Sequence, residues 1–382
     1  MQIQLRKRIT TQELSDGIFF VTYTCFLTYS LLGHIEGYNH LLKPITILSL
    51  IILFGIFIMR LKEYSAKSGM LAGVFLMMSV FSALITSDFG LVKLVLFISL
   101  SKGIRIDKCV RVDLVLRIIL ILYVLYLYYM GYAPDYIAYS GMTVRHSMGF
   151  TNPNAFGMAI LIVCLEILYL AQMKFNIFAV SIVCSLIIYS DLVAHCRSVT
   201  LVLIIAIVLC ILNSPENSIF SKTIVIQICS FVPVVFFLLT FIFCRLFMMR
   251  NQLAIAIDSL LTKRLYLISR YFERYHWNIV GHKIGTMDFP LDNMYAYLFF
   301  GLGIIITVIF LAIFCISINR LFRYNMCALA IILIIFAFYG LSERLWINID
   351  YNIFMITFGV LLFPNEFKQN NKSQVNKNGS FS

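Results

Sequence analysis

Residues 293–317 read NMYAYLFFGLGIIITVIFLAIFCIS, a stretch without one acidic or basic side chain. A bilayer core about 30 Å thick is crossed by about 20 apolar residues in a helix, so the stretch reads as a membrane span. Working outward, comparable runs lie at about 17–32, 44–59, 69–87, 89–100, 114–133, 155–171, 175–190, 198–212, 222–243, 325–341 and 346–363, twelve in all with 293–317. The run 89–100 is short for a crossing and contains Lys93; a tilted span and a re-entrant segment both fit. Arg6, Lys7 and Arg8 precede the first run as in a signal peptide, but no small-residue cleavage site precedes Gly33-His34, so it is read as an uncleaved span.

Composition agrees. Of 382 residues, 61% are apolar and 13% charged, against about 25% charged in soluble domains. That excludes a soluble enzyme, a disordered chain and a nucleic-acid binder. The expected fold is an all-α integral membrane protein, a polytopic bundle of about 12 (11–12) transmembrane helices filling residues 1–363. The Asn-, Lys- and Ser-rich 364–382 reads as a disordered cytoplasmic tail.

The net charge of +12 follows from orientation. With the N-terminus inside, seventeen Lys and Arg fall in inner segments and four (Lys43, Arg145, Arg197, Arg344) in short outer loops. The positive-inside rule then places both termini in the cytoplasm. Seven more lie in the one large outer loop, about 244–292, between spans nine and ten: Arg245, Arg250, Lys263, Arg264, Arg270, Arg274 and Lys283. Long loops escape the rule but are often functional. Within it, LAIAIDSLLTKRLYLISRYFERY (253–275) has helical spacing of apolar residues and reads as an amphipathic helix on the outer membrane face. It serves either as an anchor or, through Arg264, as a holder of an anionic lipid-linked substrate.

Signatures of soluble catalysis are missing: no GxGxxG, no phosphate-binding GK[ST] loop, no GxSxG and no HExxH. The ten cysteines form no CxxC pair, which leaves neither a disulfide framework nor a zinc site; no metal and no cofactor are expected. Chemistry would fall to span ends facing outward, where four clusters sit. In the first, Arg145-His146 precedes GFTNPNAFG (149–157), where Asn154 suits a helix cap and the two basic residues suit an anion. In the second, DLVAHCRS (191–198), Arg197 lies at a span boundary, where arginines face protein interior or a wet cavity; it either pairs with Asp191, snorkels, or forks onto phosphate. In the third, DFPLDNMY (288–295), Asp292 and Asn293 either cap the next helix or supply a general base. In the fourth, SERLW (342–346), Glu343 and Arg344 are either solvated charges or cavity residues beside an interfacial Trp346. Gly301-Leu302-Gly303 reads as close helix packing, and Glu166 and Arg117 as structural.

At these residues the chain resembles the Wzy-type polysaccharide polymerases, which share a bacterial membrane superfamily with the O-antigen ligases. The resemblance runs from about 88 to 363. It is carried by GFTNPNAFG, Cys196-Arg197-Ser198, the large outer loop, Leu261-Thr262-Lys263-Arg264, Ile279-Val280-Gly281 and Asp292-Asn293-x-Tyr295. The last form is most similar to capsule or exopolysaccharide polymerases of Gram-positive bacteria. The resemblance implies a metal-independent glycosyltransferase in the bacterial cytoplasmic membrane. It would join undecaprenyl-pyrophosphate-linked oligosaccharides on the outer face, releasing undecaprenyl pyrophosphate. Its partners would be those lipid-linked units, the bilayer, and the pathway's flippase and chain-length regulator. By position, Arg197 and Arg264 match the family's pyrophosphate-binding arginines, with Arg145, His146, Asn154, Asn293 and Tyr295 as further substrate-binding candidates. Asp292 stands where many relatives have His, so the base is open between Asp292, His282 and Glu343. Two alternatives remain: a ligase moving finished glycan to another acceptor, and a flippase or transporter of the lipid-linked unit, against which the lack of related halves argues.

Overall fold

The computed structural model describes residues 11–140, 143–213, 219–260, 263–284 and 290–368. Arg6 to Arg8, Leu261-Thr262, Asp288-Phe289 and the tail from 369 lie outside the described residues; 364–368 are helical.

Helices start where a polar side chain caps an apolar run. Ser65 accepts the Ser68 N–H at the head of α3 (Ala66–Thr86). Asn152 accepts the Ala155 N–H at α6 (Pro153–Leu170), with Pro153 at its first position, where no N–H is missed. Asn176 does the same for α7 (Ile177–Ala194). The others are α1 (Thr11–Leu32), α2 (Tyr38–Arg60), α4 (Gly90–Leu100), α5 (Ile106–Tyr129), α8 (Arg197–Leu212), α9 (Thr223–Met248), α10 (Gln252–Leu260), α11 (Arg264–Arg274), α12 (Met294–Ala296), α13 (Ile304–Arg323), α14 (Cys327–Tyr339) and α15 (Gly359–Leu362). One hairpin, β1 (Ala138–Ser140) with β2 (Thr143–Arg145), pairs Ala138 with Arg145. Among the described residues six helices, spanning 38–63, 66–86, 153–170, 177–194, 223–248 and 304–323, are long and apolar enough to cross a membrane. The chain is a multi-pass helical membrane protein.

Three stretches depart from simple spans. First, α4 has 11 residues, about 16 Å of helix, half a bilayer core. It packs against another short element, the 3₁₀ turn Ile353–Phe358 leading into α15. Residues 341–352 are almost wholly non-helical, yet Leu345, Trp346, Ile347 and Ile349 are completely buried. Buried irregular backbone needs protein around it to meet its polar groups, and α4 helps enclose it: Lys93 pairs with Asp350 at 2.9 Å and lies over the Phe26 ring. That explains the lysine in the short run. Second, 293–317 is not one helix. It opens as α12, widens into a π-helical turn (Tyr297–Leu302) and breaks at Gly303, whose φ is +88°. A Cβ on Gly281 would lie 2.2 Å from the Gly301 carbonyl oxygen, and one on Gly303 2.3 Å from the Gly281 nitrogen. The packing expected of Gly301 and Gly303 is real, but its partner is the loop at 278–282. Third, 253–275 is two helices. Lys263 turns left-handed (φ +63°), and the Asp258 carboxylate accepts the Leu265 and Tyr266 N–H groups, capping α11.

Arg117 and Asp113, both fully buried, form an ion pair at 2.8 Å on one face of α5. This agrees with a structural role for Arg117.

Candidate active site

The helix ends at 130–153, 194–197, 264, 292–294 and 339–343 meet around a cavity of about 370 Å³. Its polar wall includes Arg145, Asn154, Arg197, Arg264 and Asp292, with Leu201, Val202, Ile205, Leu267 and Phe338 forming the apolar part.

Five of the residues read from the sequence form one hydrogen-bonded chain. Arg145 Nη2 donates to Asn154 Oδ1 (2.6 Å), and Asn154 Nδ2 donates to Glu343 Oε1 (2.9 Å). Arg264 Nη2 donates to the same Glu343 oxygen (2.8 Å), and its Nη1 to Asp292 Oδ2. These residues are far apart in sequence and are brought together by four local devices. Hairpin β1–β2 carries Arg145, whose Nε is further held by the Ala194 carbonyl at 2.8 Å. Asn152, rather than Asn154, caps α6, which frees the Asn154 amide. The Asp258 cap sets Arg264 at the first position of α11. Asn293 caps α12 by accepting the Ala296 N–H at 2.9 Å and ties it to the end of α14 through the Leu341 carbonyl at 2.8 Å. Asp292 is thereby released from capping and lines the cavity.

Arg197 is exposed at the start of α8. Among the described residues neither it nor Arg145 makes an ion pair, whereas Arg264 bridges both carboxylates. The N-terminal dipole of α8 adds to the positive potential around Arg197. Close packing fixes that terminus: a Cβ on Gly157 would lie 2.6 Å from Cys196 Sγ. The glycine of GFTNPNAFG is thus what lets α6 approach α8.

The two carboxylates differ in environment. The Asp292 side chain is 36% exposed and that of Glu343 13%. Burial pushes the Glu343 pKa above its ordinary value; the charge and hydrogen bond of Arg264, then Arg145 and Asn154, pull against this without cancelling it. The site therefore combines three cations with two carboxylates that could accept a proton.

The other candidates lie elsewhere. His146 Nδ1 pairs with Asp135 Oδ2 at 2.6 Å outside the cavity lining. Burial raises the Asp135 pKa, but His146 and the Ser147 and Met148 N–H groups outweigh it and hold it below the ordinary value. His282 bonds to the His276 carbonyl (2.8 Å) and packs on Tyr275. Tyr295 is buried, donating to the Ala337 carbonyl (2.8 Å) edge-on to Trp346. Arg344 stacks on Tyr297, 4.2 Å from the ring centre. Tyr139 and Thr143 of the hairpin line the cavity and were missed; the alternation of YIAYSGMTVRH (136–146) was the available strand signal. Among the described residues no group of three His, Cys, Asp or Glu side chains is placed to hold a metal ion.

Comparison with family models, with curated proteins and with solved structures finds no match to this chain.

Proposed function

We propose that the chain polymerises oligosaccharide repeat units carried on a polyprenyl pyrophosphate, of the undecaprenyl type, at the outer face of a bacterial cytoplasmic membrane. The observation that carries this reading is the cavity itself: three arginines, two of them without an ion pair among the described residues, beside two carboxylates at one end of a membrane bundle. A pyrophosphate departs readily once its developing charge is met by fixed cations, and arginine supplies forked donors that never lose their charge. In the reaction, an acceptor sugar hydroxyl attacks the anomeric carbon of the donor chain. The bond from that carbon to the pyrophosphate oxygen breaks, and the hydroxyl proton passes to Asp292 or Glu343. Arg145, Arg197 and Arg264 hold the leaving pyrophosphate, and the apolar wall from Leu201 to Ile205 takes the first part of the prenyl chain. The topology that goes with this reading has both termini in the cytoplasm and loop 244–292 outside, with α4 and 353–362 counted as short crossings among about twelve.

The test is polymer growth from a purified lipid-linked repeat unit. The wild type is expected to build a ladder, and the Arg197→Ala/Arg264→Ala variant to lose about 100-fold or more in rate, the range for removing charge stabilisation. Full-length polymer from that variant would sink the site. A single transfer to a foreign acceptor would mark a ligase. Movement of the lipid across vesicles without polymer would mark a transporter.

A further inference from the structure

At the opposite end of the molecule a groove runs between α3 and α13. Its floor is α4 and the 358–362 segment. The deep part, about 60 Å³, is lined by apolar side chains apart from Ser99, whose hydroxyl is turned back onto the Val95 carbonyl. It is continuous with a wider mouth of about 580 Å³, the two sharing Phe75, Ile309, Ile313, Leu361 and Leu362 in their walls.

The mouth is basic. Lys67, Lys102 and Arg320 line it against one carboxylate, Glu366, which accepts the Gly103 N–H at 2.8 Å. Lys102 is already engaged by the Glu63 carbonyl and the Tyr64 and Phe363 rings. Among the described residues Lys67 and Arg320 form no ion pair, and Arg320 donates a hydrogen bond to the Val360 carbonyl at 3.3 Å. Along α3, from Lys67 at the mouth to Met78 at the deep end, the groove covers about 16 Å at 1.5 Å per residue, one leaflet of a core about 30 Å thick.

We propose that this groove binds an anionic phospholipid from the leaflet at that end. One acyl chain lies between α3 and α13, and the phosphate sits at Lys67 and Arg320. The pairing of an apolar slot one leaflet deep with unpaired cations at its mouth selects this occupant: an acyl chain alone leaves the cations unused, and a soluble anion leaves the slot unfilled. Basic pockets between membrane helices are known to select acidic headgroups. The site is separate from the arginine cavity and does not depend on the polymerase reading.

The test is native mass spectrometry of the full-length protein in detergent with equal phosphatidylglycerol and phosphatidylcholine. The wild type is expected to retain phosphatidylglycerol about 10-fold or more over phosphatidylcholine. K67Q/R320Q should abolish the preference, and A312W, which places an indole in the mouth, should reduce phosphatidylglycerol retention by a similar factor. R197Q, altered at the other end, should keep both. A wild type without preference, a preference surviving K67Q/R320Q, unchanged retention in A312W, or loss of preference in R197Q would each overturn the proposal.

Discussion

The two ends of the bundle each gather arginines, and they use them in opposite ways. At one end Arg60 is 1% exposed, and its guanidinium makes five bonds: to Glu63, Ser15, Gln12 and the carbonyls of Leu100 and Lys102, all at 2.9–3.1 Å. It ties α1, α2 and the turn after α4 together. At the other end Arg145, Arg197 and Arg264 face a cavity, and among the described residues two of them have no ion-pair partner. The donors of Arg60 are spent inside the fold, whereas Arg197 is exposed at the cavity with no ion pair among the described residues; Arg145, held by Asn154 and the Ala194 carbonyl, and Arg264, held by two carboxylates, stand between these extremes. Charge alone does not separate them, and an account of the donors does.

The comparison can be broken at three points. The largest effect is expected at Arg60→Ala, which removes five bonds at once and leaves Glu63 without its ion-pair partner. Glu63 is partly open to water and recovers some of the loss, but the lost bonds leave the buried Ser15 hydroxyl and the Leu100 carbonyl short of a partner, at about 1–3 kcal/mol for each group left unsatisfied, so the variant should show a clear loss of thermal stability in detergent. A normal melting curve would show that this end is not held as described. Next is Glu343→Gln. If Glu343 draws off the acceptor proton, only its ionised form works, so activity falls as pH drops through its pKa. Burial has raised that pKa, which puts the acid limb above the ordinary glutamate range. The amide should lower the rate about 100-fold, the lower end for general base catalysis, and remove that limb from the pH–rate profile. A limb that survives would transfer the role to Asp292. The smallest effect belongs to Arg344→Gln, one residue along the chain but stacked on Tyr297 outside the cavity. It should cost about 1 kcal/mol of stability and change the rate less than twofold; a large rate loss would redraw the site.

Much of the site was legible because polar residues at the ends of apolar runs are few, and the bundle has to bring such ends together. Arg145, Asn154, Arg197, Asp292 and Glu343 were marked on that ground, and Arg264 from the amphipathic stretch of the outer loop and the resemblance. What could not be read is how neighbours divide their tasks. Asn152 and Asn154 are both good caps, and so are Asp292 and Asn293; which one caps and which turns inward depends on a backbone dihedral and on packing such as Gly157 against Cys196. The break at Lys263 was hidden because helical periodicity continues through it, and Asp258 reads as a solvated face residue until its role as a cap is seen. The membrane class was plain from composition, and α3, α6 and α7 follow their apolar runs closely, whereas α13 begins only after the break at Gly303 inside the run 293–317. The short ones do not: the partner of Lys93 is Asp350, 257 residues away, and no local pattern connects them.

The buried irregular stretch 341–352 has a consequence for how the molecule is assembled. A free helix can enter lipid alone because it satisfies its own backbone, but this stretch cannot. Its burial depends in part on α4, a helix some 250 residues earlier in the chain. A chain halted before residue 341 would therefore leave Lys93 without its Asp350 counter-ion and α4 without the segment it packs against.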